Sequence, residues 1–218
     1  VLDITPFYAE AGGQVGDSGM IIGDGFSARV SNTVRISDSV IAHDVTVLEG
    51  DISVGNKVKA SVDESRRRAT ARNHTATHLL HAALREVLGE HVLQAGSYVS
   101  GDRLRFDFSH HSPVSDSELC EVEDLVTKWV LDDLDVKAET MPISEARKIG
   151  AIALFGEKYG SDVRVVRIGD VSSEFCGGTH IGRTGRIGLV KIISESPVAA
   201  GIRRIEAVTG TSVLSYMR

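Results

Sequence analysis

The chain has 218 residues with 24 Lys and Arg against 30 Asp and Glu, a net charge of -6 that excludes a generic polybasic nucleic-acid binder and leaves only local basic patches for such a role. At 42% hydrophobic and 25% charged residues, the composition excludes global disorder and suits one large globular domain or two small ones. The sequence has no run of 18 apolar residues and no charged segment leading into an apolar stretch, so neither a membrane span nor a signal peptide is expected, and the expected location is the cytoplasm.

The chain opens at Val1 in what reads as mid-element, so it is expected to be a piece of a longer polypeptide. Residues 1 to about 60 are rich in glycine and β-branched residues, with alternating stretches such as Val40 to Leu48 and no helical period, which predicts a small β unit. From Asp63 the pattern changes to an amphipathic helix of about six turns carrying Leu79, Leu80, Ala83, Leu84, Val87 and Leu88 and stopped at Gly89. Val92 to Val99 and Arg103 to Phe108 flank Ser100-Gly101-Asp102 as a hairpin, and Ser115 to Leu131 reads as a second helix, with Cys120 taken as a packing residue on it. A shorter helix is expected over Ser144 to Ile149. Three strands follow, over Val163 to Ile168, Leu189 to Ile193 and Ile202 to Val208.

Charge is uneven along the chain: net -4 over 1–60, +1 over 61–112, -6 over 113–160 and +3 over 161–218. Basic residues gather at the start of the long helix (Arg66, Arg67, Arg68, Arg72) and in the tail (Arg203, Arg204). Charge acts over roughly 8–10 Å in physiological salt, so such clusters can follow a phosphate backbone in a chain that is acidic overall, although solvated faces would look the same.

His74 and His78 lie four apart in the long helix, which puts both imidazoles on one face about one turn apart. Cys176 and His180 are spaced alike, and Gly177-Gly178 between them free the backbone to turn so that a thiolate and an imidazole converge. Three imidazoles and a thiolate suit tetrahedral zinc, one ion per chain, rather than calcium or magnesium. A zinc peptidase of the His-Glu-x-x-His kind is discounted because Thr75 stands where its base would be. His81, on the same helical face one turn beyond His78, is read as packing around the site or a supporting neighbour, with a competing ligand as the alternative. The two cysteines are too few for a disulfide framework, which leaves Cys176 available as a ligand.

Thr5-Pro6-Phe7-Tyr8-Ala9-Glu10-Ala11-Gly12-Gly13-Gln14-Val15-Gly16-Asp17, then Asn73 to His81 and Cys176 to His180, closely resemble the editing region of the alanyl-tRNA synthetase family. The likeness runs on through Leu104 to His110, Ala153-Leu154-Phe155-Gly156-Glu157-Lys158-Tyr159 and Gly201 to Gly210, covering nearly the whole chain. It implies an α+β fold: a small β-barrel-like amino-terminal subdomain (1–62), then an α+β subdomain (63–218) with antiparallel sheet and the zinc-bearing helix. It further implies hydrolysis of tRNA(Ala) mischarged with serine or glycine, with the other domains of the parent synthetase as partners. No segment resembles the ATP-binding, amino-acid-activating core, so the parent's ligase activity is expected to be absent from this piece.

On this resemblance Thr77 and Gln94 belong to the amino-acid pocket, and Gly12, Gly13 and Gln14 form a glycine-rich loop that narrows it; that loop has no Walker lysine, which argues against a nucleotide site. Thr77 is the candidate for gripping the hydroxyl that distinguishes serine from alanine, set against a threonine that bonds only its own backbone. Arg66, Arg67, Arg68, Arg72, Arg203 and Arg204 are the candidate tRNA contacts. The alternatives are a structural-zinc RNA-binding module without chemistry and a free-standing trans-editing deacylase.

Overall fold

A computed structural model describes residues 1–153 and 159–218, so the Leu154 to Lys158 stretch of the family likeness lies outside the described residues. Near the amino terminus, β1 (Gly19–Gly23), β2 (Phe26–Ser37), β3 (Val40–Glu49) and β4 (Val58–Val62) form an antiparallel sheet in the order β3-β2-β1-β4. The β1–β2 hairpin turns through Asp24-Gly25, with Gly25 at φ 76°, a left-handed conformation that glycine adopts without steric cost. The expected barrel does not close among the described residues, because the edge strands β3 and β4 do not pair. Four strands, two of them only five residues long, cannot wrap a filled interior. Instead Phe7, from the segment before β1, packs with Ile21, Phe26 and Val30 to form the core of this unit.

The long helix, α1 (Glu64–Leu88), starts at Asp63, whose carboxylate accepts from Arg66 N at 3.0 Å, and ends at Gly89, whose N–H caps Arg85 O. The hairpin β5 (Gln94–Val99) and β6 (Leu104–Ser109) joins β10 (Val190–Ala199) and β11 (Ile202–Thr209) in a second antiparallel sheet, ordered β10-β11-β6-β5. Leu79, Leu80, Ala83 and Leu84 of α1 share one core with Leu104, Phe106 and Phe108 of β6 and Ile205 of β11. Burial of this apolar surface, at about 25 cal/mol per Å², is what fixes α1 relative to the sheet.

The second helix, α2 (Asp116–Leu131), begins with a capping box between Ser115 and Glu118 and adds Val122, Val126, Trp129 and Val130 to that core. Cys120 is exposed and is not a packing residue. It sits two positions before Val122, about 200° around the helix from the buried stripe. A third antiparallel sheet comprises β7 (Val136–Pro142), β8 (Asp162–Ile168) and β9 (Ser172–Phe175), ordered β7-β8-β9, with α3 (Ile143–Lys148) after β7 and α4 (Thr211–Met217) closing the chain. The last residue of β9 immediately precedes Cys176, so this sheet aims the cysteine loop at α1. Among the described residues, no helix is long and apolar enough to cross a membrane.

Candidate metal centre

From Thr70 to His81, α1 is buried at every position but Arg72, yet this stretch includes Asn73, His74, Thr75, Thr77, His78 and His81. A helix enclosed this way is tolerable only if its polar side chains find partners. Asn73 donates to Ser100 O at 2.7 Å and accepts from Thr209 Oγ1 at 2.7 Å, which pins α1 between the β5–β6 turn and the end of β11.

His74, His78, Cys176 and His180 each present one donor atom, and the four atoms lie within 4.8 Å of one another. Cys176 Sγ is 3.3 Å from His74 Nε2 and 3.2 Å from His180 Nε2. Bonds of about 2.0–2.3 Å at tetrahedral angles place ligand atoms roughly 3.3–3.8 Å apart, so the set closes on a small cation with shifts of about 1 Å. Each imidazole is held from behind. His74 Nδ1 meets Gln14 Oε1 at 2.7 Å, and His78 Nδ1 meets Glu174 Oε2 at 3.0 Å. Thr75 Oγ1 gives its proton to Ala71 O and accepts from His180 Nδ1 at 3.1 Å. These acceptors keep the proton on Nδ1 and the lone pair on Nε2, as metal-ligating histidines require. Among the described residues His78 Nε2 is buried without a hydrogen-bond partner, which a bound cation would remedy. Three imidazoles and a thiolate from two segments thus fit a tetrahedral metal.

The electrostatics favour the ligating forms of Cys176 and His180 but oppose that of His78, whose ring must give up a proton before Nε2 can ligate. Burial works against the Cys176 thiolate, but His78 and His74, with hydrogen bonds from His180 and His74, bring its pKa down to about 2. Burial pushes His180 down to about 3, favouring the neutral imidazole that ligates. For His78, burial opposes the charge, but Glu174 and Cys176 together raise it to about 10. Glu174, buried beside His78 and His81, is held below the usual carboxylate range by them despite its burial. His81 is not one of the four donors. Its Nδ1 lies 3.2 Å from Glu174 Oε1 and its ring packs on Phe106.

A cavity of about 360 Å³ opens beside the donors, walled by Thr77, Gln94, Tyr8, Gly12, Arg164 and Cys176 among others. Thr77 Oγ1 donates to Asn73 O at 2.8 Å, which commits its proton to the helix and leaves its lone pairs as acceptors. Gln94 Nε2 reaches Ser97 Oγ at 3.3 Å. Of the glycine-rich loop, only Gly12 lines the cavity. Gly13, at φ 81°, lies against Ser97 so closely that a Cβ would sit 2.4 Å from its carbonyl oxygen, and Gln14 is buried behind His74. Burial and the nearby Cys176 charge raise the Tyr8 phenol to about 12, so it stays neutral. Arg164 holds the cysteine loop by donating to Cys176 O at 2.7 Å and Gly178 O at 2.8 Å.

The six arginines divide. Arg203 makes two bonds to Glu195 at 2.5 and 2.6 Å, Arg204 two to Asp107 at 2.7 and 2.8 Å, and Arg67 pairs with Asp17 while donating to Pro6 O. These three tie parts of the chain together. Among the described residues Arg68 is exposed and pairs only with Glu64 one turn earlier, Arg66 reaches Ser31 O at 3.4 Å, and Arg72 keeps a buried Nε without a hydrogen-bond partner. Sequence reasoning passed over Glu174 and Arg164. Glu174 stands two positions before Cys176, a proximity that was its one available signal.

Residues 163–206 match the family model for the threonyl and alanyl tRNA synthetase second additional domain, and residues 1–66 match that for class II (A) tRNA synthetases. The chain is 54% identical over 215 residues to the alanine–tRNA ligase of Carboxydothermus hydrogenoformans, and 54% identical over 218 residues to that of Thermotoga maritima. It is 53% identical over 218 residues to the same enzyme of Herminiimonas arsenicoxydans. These alignments cover 99–100% of the chain but 25% of each relative, so the chain spans about a quarter of their length.

Proposed function

The chain belongs over its whole length with the alanyl-tRNA synthetases, of which it forms a segment, and on that premise we propose that it is a zinc-dependent editing hydrolase acting on tRNA(Ala) charged with serine or glycine. The observation that carries this reading is the convergence of His74, His78, Cys176 and His180, the first three of which line a cavity that Thr77 and Gln94 also line. Residues 1–62 act as a β subdomain that delivers the glycine-rich loop, and 63–218 as the editing subdomain; both work in the cytoplasm beside the other domains of the parent.

The bond to be cleaved is an ester between an amino acid and the terminal ribose. Zinc, when bound, supplies a fixed positive charge that polarises or orients a substrate group beside it. The Thr77 lone pairs accept a hydrogen bond from the hydroxyl of serine, a group that alanine lacks, which is where discrimination arises. Gln94 lines the same pocket and offers an amide donor to the ester oxygen as negative charge develops on it. Gly12 brings bare backbone to the cavity wall and keeps the pocket small enough for glycine and serine. Of the six, Arg66, Arg68 and Arg72 are left to meet tRNA phosphates, the first two at the exposed start of α1.

Four protein ligands leave no open coordination position, and this favours one competing reading, a structural-zinc module that binds RNA without chemistry. Incubating the chain with Ser-tRNA(Ala), beside its Cys176→Ala variant, separates them. Multiple turnovers that depend on Cys176 support the hydrolase, whereas binding without release of serine supports the module.

A further inference from the structure

We propose that Gln14 is a positioning residue, which sets the tautomer of His74 and locks the cysteine loop onto α1. This rests on reading the four donors as a metal centre. Gln14 is 1% exposed and comes from the glycine-rich loop, 60 residues before His74 and 165 before Thr179. Its backbone is fixed on both sides: Val99 N donates to Gly13 O at 2.8 Å, and Val15 N to Val99 O at 3.0 Å. Gly13 permits that approach, because any side chain there would overlap Ser97.

The orientation of the Gln14 amide follows from chemistry. The backbone N–H of Thr179 can only donate, and it lies 2.9 Å from one terminal atom of Gln14, so that atom is the oxygen. The same oxygen lies 2.7 Å from His74 Nδ1, which must therefore carry the ring proton. His74 Nε2 is left as a lone pair facing Cys176 Sγ at 3.3 Å. The amide nitrogen completes the clamp by donating to Thr179 Oγ1 at 3.0 Å. Between these groups a Cβ on Gly178 would stand 2.1 Å from His74 Cε1 and 2.8 Å from Gln14 Oε1, so the cysteine loop packs directly on the pair. One side chain thus couples the glycine-rich loop to both halves of the centre. Without its acceptor, His74 can take either tautomer, and only one of them ligates.

The test uses the intact chain with zinc as the probe. Gln14→Leu is expected to weaken zinc affinity, measured by chelator competition, by about 10–100-fold, while Gln14→Glu, which keeps the acceptor oxygen, stays within a few-fold of wild type. In nitrogen-15 histidine spectra of the metal-free wild type, His74 is expected as the Nδ1–H tautomer. A folded Gln14→Leu protein with unchanged zinc affinity overturns the proposal. So does a wild-type His74 carrying its proton on Nε2, a measurement that needs no variant. A wild type that binds zinc in this pattern yet leaves Ser-tRNA(Ala) intact removes the hydrolase reading and keeps the role of Gln14.

Discussion

Removing the Glu174 carboxylate should disable the metal centre without touching any of its ligands. Glu174 is 3% exposed, and its oxygens meet His78 Nδ1 at 3.0 Å, His81 Nδ1 at 3.2 Å and Ser172 Oγ at 3.0 Å. Glu174→Ala leaves two imidazole N–H groups without an acceptor, at about 1–3 kcal/mol each. At roughly 2–4 °C per kcal/mol for a chain of this size, the melting temperature should fall by about 5–20 °C. His78 also loses the group that holds its ring, and metal affinity should drop about 100-fold, close to 2.7 kcal/mol. Glu174→Gln should be milder. Its oxygen can serve His78, its amide can face His81, and His81 can move its proton to Nε2, an atom with no hydrogen-bond partner among the described residues. About a tenfold loss, near 1.4 kcal/mol, is then expected, with a fall in melting temperature smaller than that of alanine because one imidazole N–H rather than two lacks an acceptor. Thermal melts and chelator competition with zinc measure both variants. An alanine variant that melts and binds zinc like wild type would refute the reasoning, as would a glutamine variant more damaged than alanine.

Three further outcomes follow from the same geometry. Thr77→Val removes the acceptor proposed for the serine hydroxyl, so Ser-tRNA(Ala) should be cleaved more slowly and the selectivity over Ala-tRNA(Ala) should shrink; unchanged selectivity in a deacylation assay would rule Thr77 out. Arg203→Ala strands Glu195, which is largely buried, and should lower the melting temperature while leaving tRNA affinity alone, whereas Arg68→Ala should do the reverse because its exposed pair with Glu64 adds little to stability. Leu84→Ala empties a fully buried site in the main core, costing about 3 kcal/mol and roughly 6–12 °C in a thermal melt, and a shift under about 2 °C would show that the site collapses around the change.

The two long helices, α1 and α2, were legible because each carries its own boundary chemistry, whereas α4, which has no side-chain cap, was not. Asp63 and Gly89 bracket α1, and α2 opens one residue after Ser115, where the helical pattern was expected to start, on the capping box that Ser115 forms with Glu118. Strands β7 and β9 were not legible. Val136–Pro142 alternates weakly and is mostly exposed, and Ser172–Phe175 is four residues long, so each exists because β8 offers it hydrogen bonds rather than because of its own pattern. The barrel expectation failed for a related reason: closure depends on strand number and stagger, which periodicity does not encode. Cys120 was misplaced because helix membership alone does not say which face a residue takes.

The same distinction runs through the candidate site. The donors were readable because ligation restricts both residue type and spacing, and two pairs at a separation of four satisfy both. Their supports obey no such restriction. Three imidazoles need three acceptors, and the fold supplies an amide from Gln14, a hydroxyl from Thr75 and a carboxylate from Glu174, drawn from a loop, a helix and a strand. Any oxygen delivered to the right point will serve, so no residue pattern marks these positions in advance. The arginines show the converse: a basic cluster is easy to see, but whether its charge faces solvent depends on a carboxylate supplied from elsewhere. Arg204 finds Asp107 97 positions away, and Arg67 finds Asp17 50 positions away. Charge summed by segment therefore located the basic residues correctly and still could not say which were available to a phosphate, because that is decided by partners the segment does not contain.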